Sequence, residues 1–249
     1  MSYIESLPQG RILRIVLNRP EKRNALTAAM CRELVQLLDA AGRDPAVRVV
    51  VLEARGKSFC AGMDLGEIDP TSTHEITGAQ ETLFTVGTRM NKPIVGAVQG
   101  AALGGGTGLV ANCHIVVAGE DATFGLTEIR LGLWPFLVHR AVSLAVGERR
   151  ALEMALTGRT FDAAEACTLG LVHEVTADIQ GRAQEIATAI AAWSPTAIRS
   201  GMEFIREARG KDWSDAGRIA ARMRNEVFES EYFREAVRAF REKKTSEKT

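Results

Sequence analysis

The sequence has no apolar run approaching the ~20 residues that a membrane-crossing helix needs, so no membrane-embedded role is expected. Nor does either sign of charge dominate. Lys and Arg total 31 against 31 Asp and Glu, with no dense basic run. A general polyanion-binding surface is not indicated, and nucleic acid is not an expected partner. Cysteine is scarce and scattered: Cys31, Cys60, Cys113 and Cys167 form no C-x-x-C pair. That spacing argues against thiolate zinc and dithiol redox sites, and it fits the reduced thiols of a cytoplasmic protein. The histidines His74, His114, His139 and His173 show no H-x-x-H or H-E-x-x-H spacing, so no metal centre is expected. There is no G-x-S-x-G elbow for a serine nucleophile. The opening Met1-Ser2-Tyr3-Ile4-Glu5-Ser6 lacks the basic-then-apolar layout of a secretory leader.

What remains is a chain of 249 residues, 46% hydrophobic, long enough to bury one substantial core. Ile12 to Leu17 reads as a strand, followed by the polar turn Asn18-Arg19-Pro20-Glu21-Lys22-Arg23-Asn24. A helix follows, with Met30, Leu34, Leu37, Leu38 and Ala41 on one face, and Pro45 ends it. Strands are expected from Val47 and from Pro93 to Val98, with a helix between them running to Met90. A short helix over 106–112 and a strand over 114–118 come next. Asp162-Ala163-Ala164-Glu165 has the order of a capping box, and Gly170 closes the helix it opens. Leu171 to Val175 reads as a returning strand. Beyond Ser194-Pro195 the chain reads as helices, with Trp213, Ala216, Ala220, Met223 and Val227 forming an apolar seam. An α/β core over 1–193 and a helical appendage over 194–249 are therefore expected.

Two glycine-bearing loops stand out. Ser58-Phe59-Cys60-Ala61-Gly62-Met63-Asp64-Leu65 follows one buried-strand pattern, and Gly100-Ala101-Ala102-Leu103-Gly104-Gly105-Gly106-Thr107-Gly108 follows another. Glycine lets a ligand approach the peptide groups closely. Two such turns side by side aim two N–H donors at one point, the arrangement of an oxyanion hole, unless they are simple turns. The second loop lacks the Lys-Ser/Thr ending of a phosphate loop, and Leu109 stands where a dinucleotide fingerprint needs glycine. Cys60 reads either as a nucleophile or as a small buried thiol. Glu128 lies among Leu126, Ile129, Leu131 and Trp134. A carboxylate there is costly to ionise, which suits acid–base work; the competing reading is a salt bridge to Arg130.

Taken together, these segments resemble the enoyl-CoA hydratase/isomerase (crotonase) superfamily. The likeness is carried by Asn18 to Leu26, Phe59 to Leu65, Gly104-Gly105-Gly106 and Glu128-Ile129-Arg130-Leu131-Gly132-Leu133. It continues through Ala164-Glu165-Ala166 and Leu169 to Val172, and ends with Phe240-Arg241-Glu242-Lys243. The resemblance implies an α/β spiral of repeated β-β-α units with C-terminal helices that assemble homotrimers or paired trimers. It implies an acyl-CoA thioester as substrate in fatty-acid or related metabolism, with coenzyme A as part of that substrate and no prosthetic group. By motif position, the amides of Met63 and Gly105 form the oxyanion hole, and the helix starting at Gly105 favours negative charge there. Ala61 matches an adenine-contacting backbone, Lys22 and Arg23 are partners for CoA phosphates, and Phe240 and Lys243 reach CoA from a neighbouring subunit.

Departures from the family pattern bear on the reaction. Glu128 matches the second of two glutamates typical of hydratases, whereas the first is replaced by Gly108. The aspartate that some relatives carry after the proline is replaced by Phe136. One acid–base carboxylate favours moving a double bond, from a 3-enoyl-CoA to a 2-enoyl-CoA. Hydration by Glu128 alone stays open, as does a protein that binds acyl-CoA without efficient turnover. Phe84, Leu133, Trp134 and His139 are candidate acyl-pocket residues, each equally readable as core. A glutamate introduced at Gly108 is expected to raise hydration.

Overall fold

In the computed structural model, which describes residues 2–68 and 73–246, the strands and helices follow the apolar patterning closely. The chain opens with an antiparallel pair, β1 (Ile4–Gln9) and β2 (Ile12–Leu17), then runs through α1 (Ala28–Arg43) to β3 (Val49–Ala54). Next come α2 (Thr73–Phe84), α3 (Val86–Arg89), β4 (Ile94–Val98), β5 (Ala101–Leu103), α4 (Gly105–Ala111), β6 (Ile115–Ala118) and β7 (Thr123–Gly125). After a 3-10 turn at Glu128–Leu131 follow α5 (Phe136–Val146), α6 (Glu148–Thr157), β8 (Phe161–Asp162), α7 (Ala163–Leu169), β9 (Glu174–Val175) and α8 (Ile179–Ala192). The chain closes with α9 (Pro195–Ala208), α10 (Trp213–Phe228) and α11 (Glu231–Ser246).

One sheet has the order β1-β2-β3-β4-β6-β9 and is parallel from β2 onward. Parallel strands are buried on both faces, so β3 and β4 are apolar almost throughout and buried at every position. Ile12, Val49, Val51, Val95, Ala97 and Val117 share one face of that sheet and pack on α8. The helix meets them with Ile179, Ala183, Ala187 and Ala191, a four-residue repeat whose small side chains allow close approach. A second sheet, β5-β7-β8, pairs Ala102 with Phe124 in parallel and Phe124 with Phe161 in antiparallel.

The chain divides into two compact units, 1–191 and 192–249. In the second, Ser194 caps α9 by accepting from Ala197 N (3.2 Å), and Asp212 caps α10 by accepting from Asp215 N (2.8 Å). Helix α10 packs on α9, with Met223 buried, Ala216, Ala220 and Val227 half-buried, and Trp213 exposed.

Several boundaries differ from expectation. The strand expected from Val47 begins at Val49, because Val47 N still donates to Asp44 O in a turn (3.2 Å). The long helix before Met90 is broken between α2 and α3, and the residues expected to precede it at 71–72 lie outside the described residues. Just after the break Gly87 N donates to Asn112 Oδ1 (2.9 Å), and the backbone approach is so close that a Cβ at 87 would lie 2.3 Å from Asn112 O. Asp162 accepts from Glu165 N (2.8 Å), but the Glu165 carboxylate pairs with Arg159 (2.6 Å), so only half of the capping box forms. The returning strand is shortened to Glu174–Val175. Among the described residues no helix is long and apolar enough to cross a membrane.

Candidate active site

The site is assembled from backbone before any side chain enters it. Asn24 is fully buried in a left-handed conformation (φ 53°), which asparagine tolerates better than most residues. Its Oδ1 accepts from Arg19 N (2.8 Å), while its Nδ2 donates to Arg55 O (2.9 Å) and Ser58 O (2.8 Å). One side chain thus fastens the turn after β2 to the loop after β3. Ala61 N then donates to Arg23 O (3.0 Å). Asp64 secures the far end: it pairs with Arg19 (2.5 Å), and that guanidinium holds its carboxyl below the usual range.

Residues 60–64 run between two neighbours. On one side Cys60 N donates to Ala101 O and Leu103 N to Cys60 O, both at 3.0 Å, in a parallel bridge with β5. On the other, Leu26 N donates to Gly62 O (2.8 Å) and Asp64 N to Leu26 O (3.0 Å), a parallel bridge between Leu26 and Met63. In such a bridge the central residue's own amide points away from its partner. The Met63 N–H therefore faces away from Leu26. Gly62 makes the switch at φ 99°, where a Cβ would also lie 2.9 Å from Leu103 O and 3.5 Å from Gly105 N.

The second loop is held as tightly. Gly104 N donates to Gly125 O (2.8 Å) from a positive φ of 53°. Thr107 Oγ1 lies 2.7 Å from Ala102 O and 3.0 Å from Gly125 O, and accepts from Gly125 N (3.1 Å). Gly105 is the first residue of α4, and the opening amides of a helix have no partner within it. Among the described residues, neither the Gly105 nor the Met63 amide donates to a protein acceptor.

Strand β7 delivers Glu128 to this point. A Cβ added to Gly104 would lie 3.1 Å from Glu128 Oε1, so the carboxyl rests on the backbone just before the Gly105 amide. Its Oε2 is buried without a hydrogen-bond partner. Burial raises its pKa, while the residue's own backbone N–H pulls the other way. Glu128 pairs with no cation among the described residues, so the Arg130 salt bridge does not form. A buried polar atom left unsatisfied signals work elsewhere, and here its residue lines a cavity of about 420 Å³. Gly62, Met63, Gly104, Gly105 and Glu128 all line that cavity, whose size suits a small organic ligand.

Of the candidate pocket residues, Phe84, Leu133 and Trp134 line the cavity. His139 is outside the lining, with its ring 6.1 Å from that of Trp134 and its Nδ1 3.3 Å from Ser143 Oγ. Ala61 lines the cavity and donates its N–H to Arg23 O; Arg23 and its neighbour Lys22 are outside the lining, with both basic side chains exposed. Phe240 and Lys243 lie on α11 in the second unit; Phe240 is exposed, and the Lys243 side chain is outside the described residues. Cys60 is wholly buried and its thiol is pushed up to about 12, so it fills space and does not act as a nucleophile. Among the described residues no group of His, Cys, Asp and Glu is arranged to hold a metal ion.

Two features escaped sequence reasoning. Asn24 sits in a polar turn, and only its tolerance of left-handed backbone hinted at a role. The second is Val138, from α5. A Cβ at Gly108 would lie 2.3 Å from Val138 Cγ1 and 3.2 Å from Phe84 Cδ1. The space a glutamate at 108 needs is therefore already filled, which corrects the expectation for that single substitution.

The model of the enoyl-CoA hydratase/isomerase family matches residues 8–248. A putative enoyl-CoA hydratase of Thermus thermophilus is 37% identical over 95% of this chain and 96% of its own. A mevalonyl-coenzyme A hydratase of Aspergillus fumigatus is 39% identical over 96% of this chain and 92% of its own. Among solved structures, an enoyl-CoA hydratase of Mycobacterium smegmatis superposes with a TM-score of 0.93 at 30% identity, covering 98% of this chain and 97% of the other.

Proposed function

The chain belongs to the enoyl-CoA hydratase/isomerase family and has its α/β crotonase fold, and from that premise we propose that it adds water reversibly across the double bond of a 2-enoyl-CoA thioester. The observation that carries this reading is the orphaned, buried Glu128 Oε2 beside two amides with no protein acceptor. The hydratase names of both similar proteins support it over the double-bond shift expected from the lone carboxylate.

Glu128 takes a proton from water as the water oxygen attacks C3. The electron pair moves through C2 and C1 onto the thioester oxygen. Met63 N–H and Gly105 N–H hold that oxyanion, each donor worth roughly 3–4 kcal/mol in the transition state. Glu128, now protonated, delivers its proton to C2, so one carboxyl serves as base and then as acid. Its raised pKa suits both halves of that cycle. Ala61, Lys22 and Arg23 are assigned to the coenzyme A moiety. Phe240 and Lys243 are assigned to the same moiety on a neighbouring copy in a homotrimer or hexamer.

One observation favours a second reading. The α4 wall of the cavity is apolar where a water-holding glutamate would stand, with Val138 and Phe84 packed over Gly108. A dry wall suits proton transfer from C2 to C4 of a 3-enoyl-CoA by the same Glu128. Matched 2-enoyl-CoA and 3-enoyl-CoA thioesters separate the two reactions. Hydration yields a hydroxyacyl-CoA heavier by one water, whereas a shift converts the 3-enoyl compound to its conjugated isomer without mass change. A rate of hydroxyacyl formation no greater than the isomerisation rate would reject the hydratase reading.

A further inference from the structure

Beyond Glu128 the cavity is unusually one-sided in its chemistry. Phe84 and Val138, both buried, form part of its wall. Its rim carries large apolar side chains left open to solvent: Phe136 is 74% exposed and Leu131 64%, with Leu133 beside them. Exposed apolar surface grouped around a cavity marks a binding site for an apolar group. The polar side chains of the wall, Thr77, Gln80 and Thr127, are neutral. Among the described residues no Lys, Arg or His lines it, and its one charged group, Glu128, has the sign that repels an acid.

We propose that the acyl group this protein accepts is an uncharged hydrocarbon tail longer than four carbons, lying along Leu131, Leu133 and Phe136. The inference rests on the acyl-CoA reading above and adds the nature of the tail. A four-carbon acyl group held at the two amides leaves the rim bare. A longer one covers it and gains up to about fourfold in affinity per buried methylene. A tail ending in a carboxylate gains nothing from apolar side chains, meets no cation among the described lining residues and is repelled by Glu128, so the same wall disfavours it.

Saturated thioesters test this apart from turnover, because they have no double bond to hydrate. Calorimetric titration of the intact protein with butanoyl-, hexanoyl-, octanoyl- and adipyl-CoA is the direct measurement. Octanoyl-CoA should bind at least about tenfold more tightly than butanoyl-CoA, and hexanoyl-CoA at least about tenfold more tightly than adipyl-CoA, its six-carbon acidic counterpart. Leu133→Arg, on the half-open rim, should shrink the second ratio below about threefold by supplying a cation.

Equal affinity for butanoyl- and octanoyl-CoA, or for hexanoyl- and adipyl-CoA, would overturn the inference. So would failure to bind any of the four. A folded Leu133→Arg protein with an unchanged hexanoyl-to-adipyl ratio would overturn the path along that wall. Tight octanoyl-CoA binding without hydration of 2-octenoyl-CoA supports the tail assignment and removes the hydratase reading. Hydration with a flat affinity series does the reverse.

Discussion

Gly108 and Val138 form a pair whose coupling can be measured. The Gly108→Glu side chain would start 2.3 Å from Val138 Cγ1 and 2.8 Å from Val138 Cβ. Overpacking of this kind costs about 1–3 kcal/mol, and a carboxyl taken from water without a partner adds about 1–3 more. Replacing a helical glycine returns up to ~1 kcal/mol, leaving a net loss of roughly 1–6 kcal/mol. Val138→Ala removes two methyl groups from a side chain only 3% exposed, a loss of about 2 kcal/mol. In the double variant the truncation removes the nearer clash, with Cγ1, while the contact with Cβ stays. Its destabilisation should therefore fall short of the sum of the singles by about 1–3 kcal/mol, the coupling expected of residues in contact. Urea unfolding of the four proteins in the cycle measures this. With the fold verified, the double variant should hydrate a 2-enoyl-CoA faster than Val138→Ala does, because a second carboxyl now reaches the cavity beside Glu128. Coupling below about 0.5 kcal/mol, the ordinary limit of additivity, would refute the packing argument. An unchanged ratio of hydration to isomerisation in a folded double variant would refute the catalytic one.

Glu128→Gln should lower kcat by at least about 10²-fold with acyl-CoA affinity within a few-fold, since the amides and the cavity walls remain. The native protein should lose kcat/KM on the acid side as Glu128 takes up its proton, at a pH above the usual carboxylate range because burial raises that pKa; the pH profile shows the limb. A folded-state pKa above the unfolded one means stability falls as pH rises through that window. Glu128→Gln should therefore melt higher than native protein at pH 8, by a few °C, and calorimetry at pH 4 and pH 8 checks the difference. Gly105→Pro removes one amide at a helix position where proline is otherwise accommodated, so kcat should drop about 10²–10³-fold in a protein that still folds. Met63→Ala keeps its amide and should change kcat by less than about tenfold, and a larger effect than that of Gly105→Pro would contradict the assignment of donors. Asn24→Ala loses three hydrogen bonds in a buried left-handed residue and should cost about 3 kcal/mol in chemical denaturation.

Helix α1 was legible because its apolar spacing is a property of one segment: Met30, Leu34, Leu38 and Ala41 are buried, with Leu37 half-exposed at the margin. The strands β4 and β6 were legible because burial on both sides writes an unbroken apolar run, and β2 because only Arg14 interrupts one. β1 was not, since Leu7, Pro8 and Gln9 are exposed and proline is tolerated at a sheet edge. β5 and β7 span only three residues each, too few to carry a period, and exist because they pair with one another. The two amide-bearing loops were readable because their requirement for glycine is local. The packing of Val138 over Gly108 depends on how α5 crosses α4, and no local pattern encodes it. For the same reason the sequence offered Gly108 as an open position.

The parallel bridges that orient Met63 have a genetic consequence. The donors are main-chain groups, so every replacement at position 63 other than proline leaves one in place. Variation there is free to explore the shape of the cavity without touching the charge-stabilising step. The burden of heredity falls instead on Gly62, at φ 99°, and on Gly104, whose φ of 53° with ψ of −116° lies outside the left-handed well that Asn24's φ belongs to. Laboratory evolution towards new acyl groups should accumulate changes at 63 and along the rim, while lineages that alter Gly62 or Gly104 disappear.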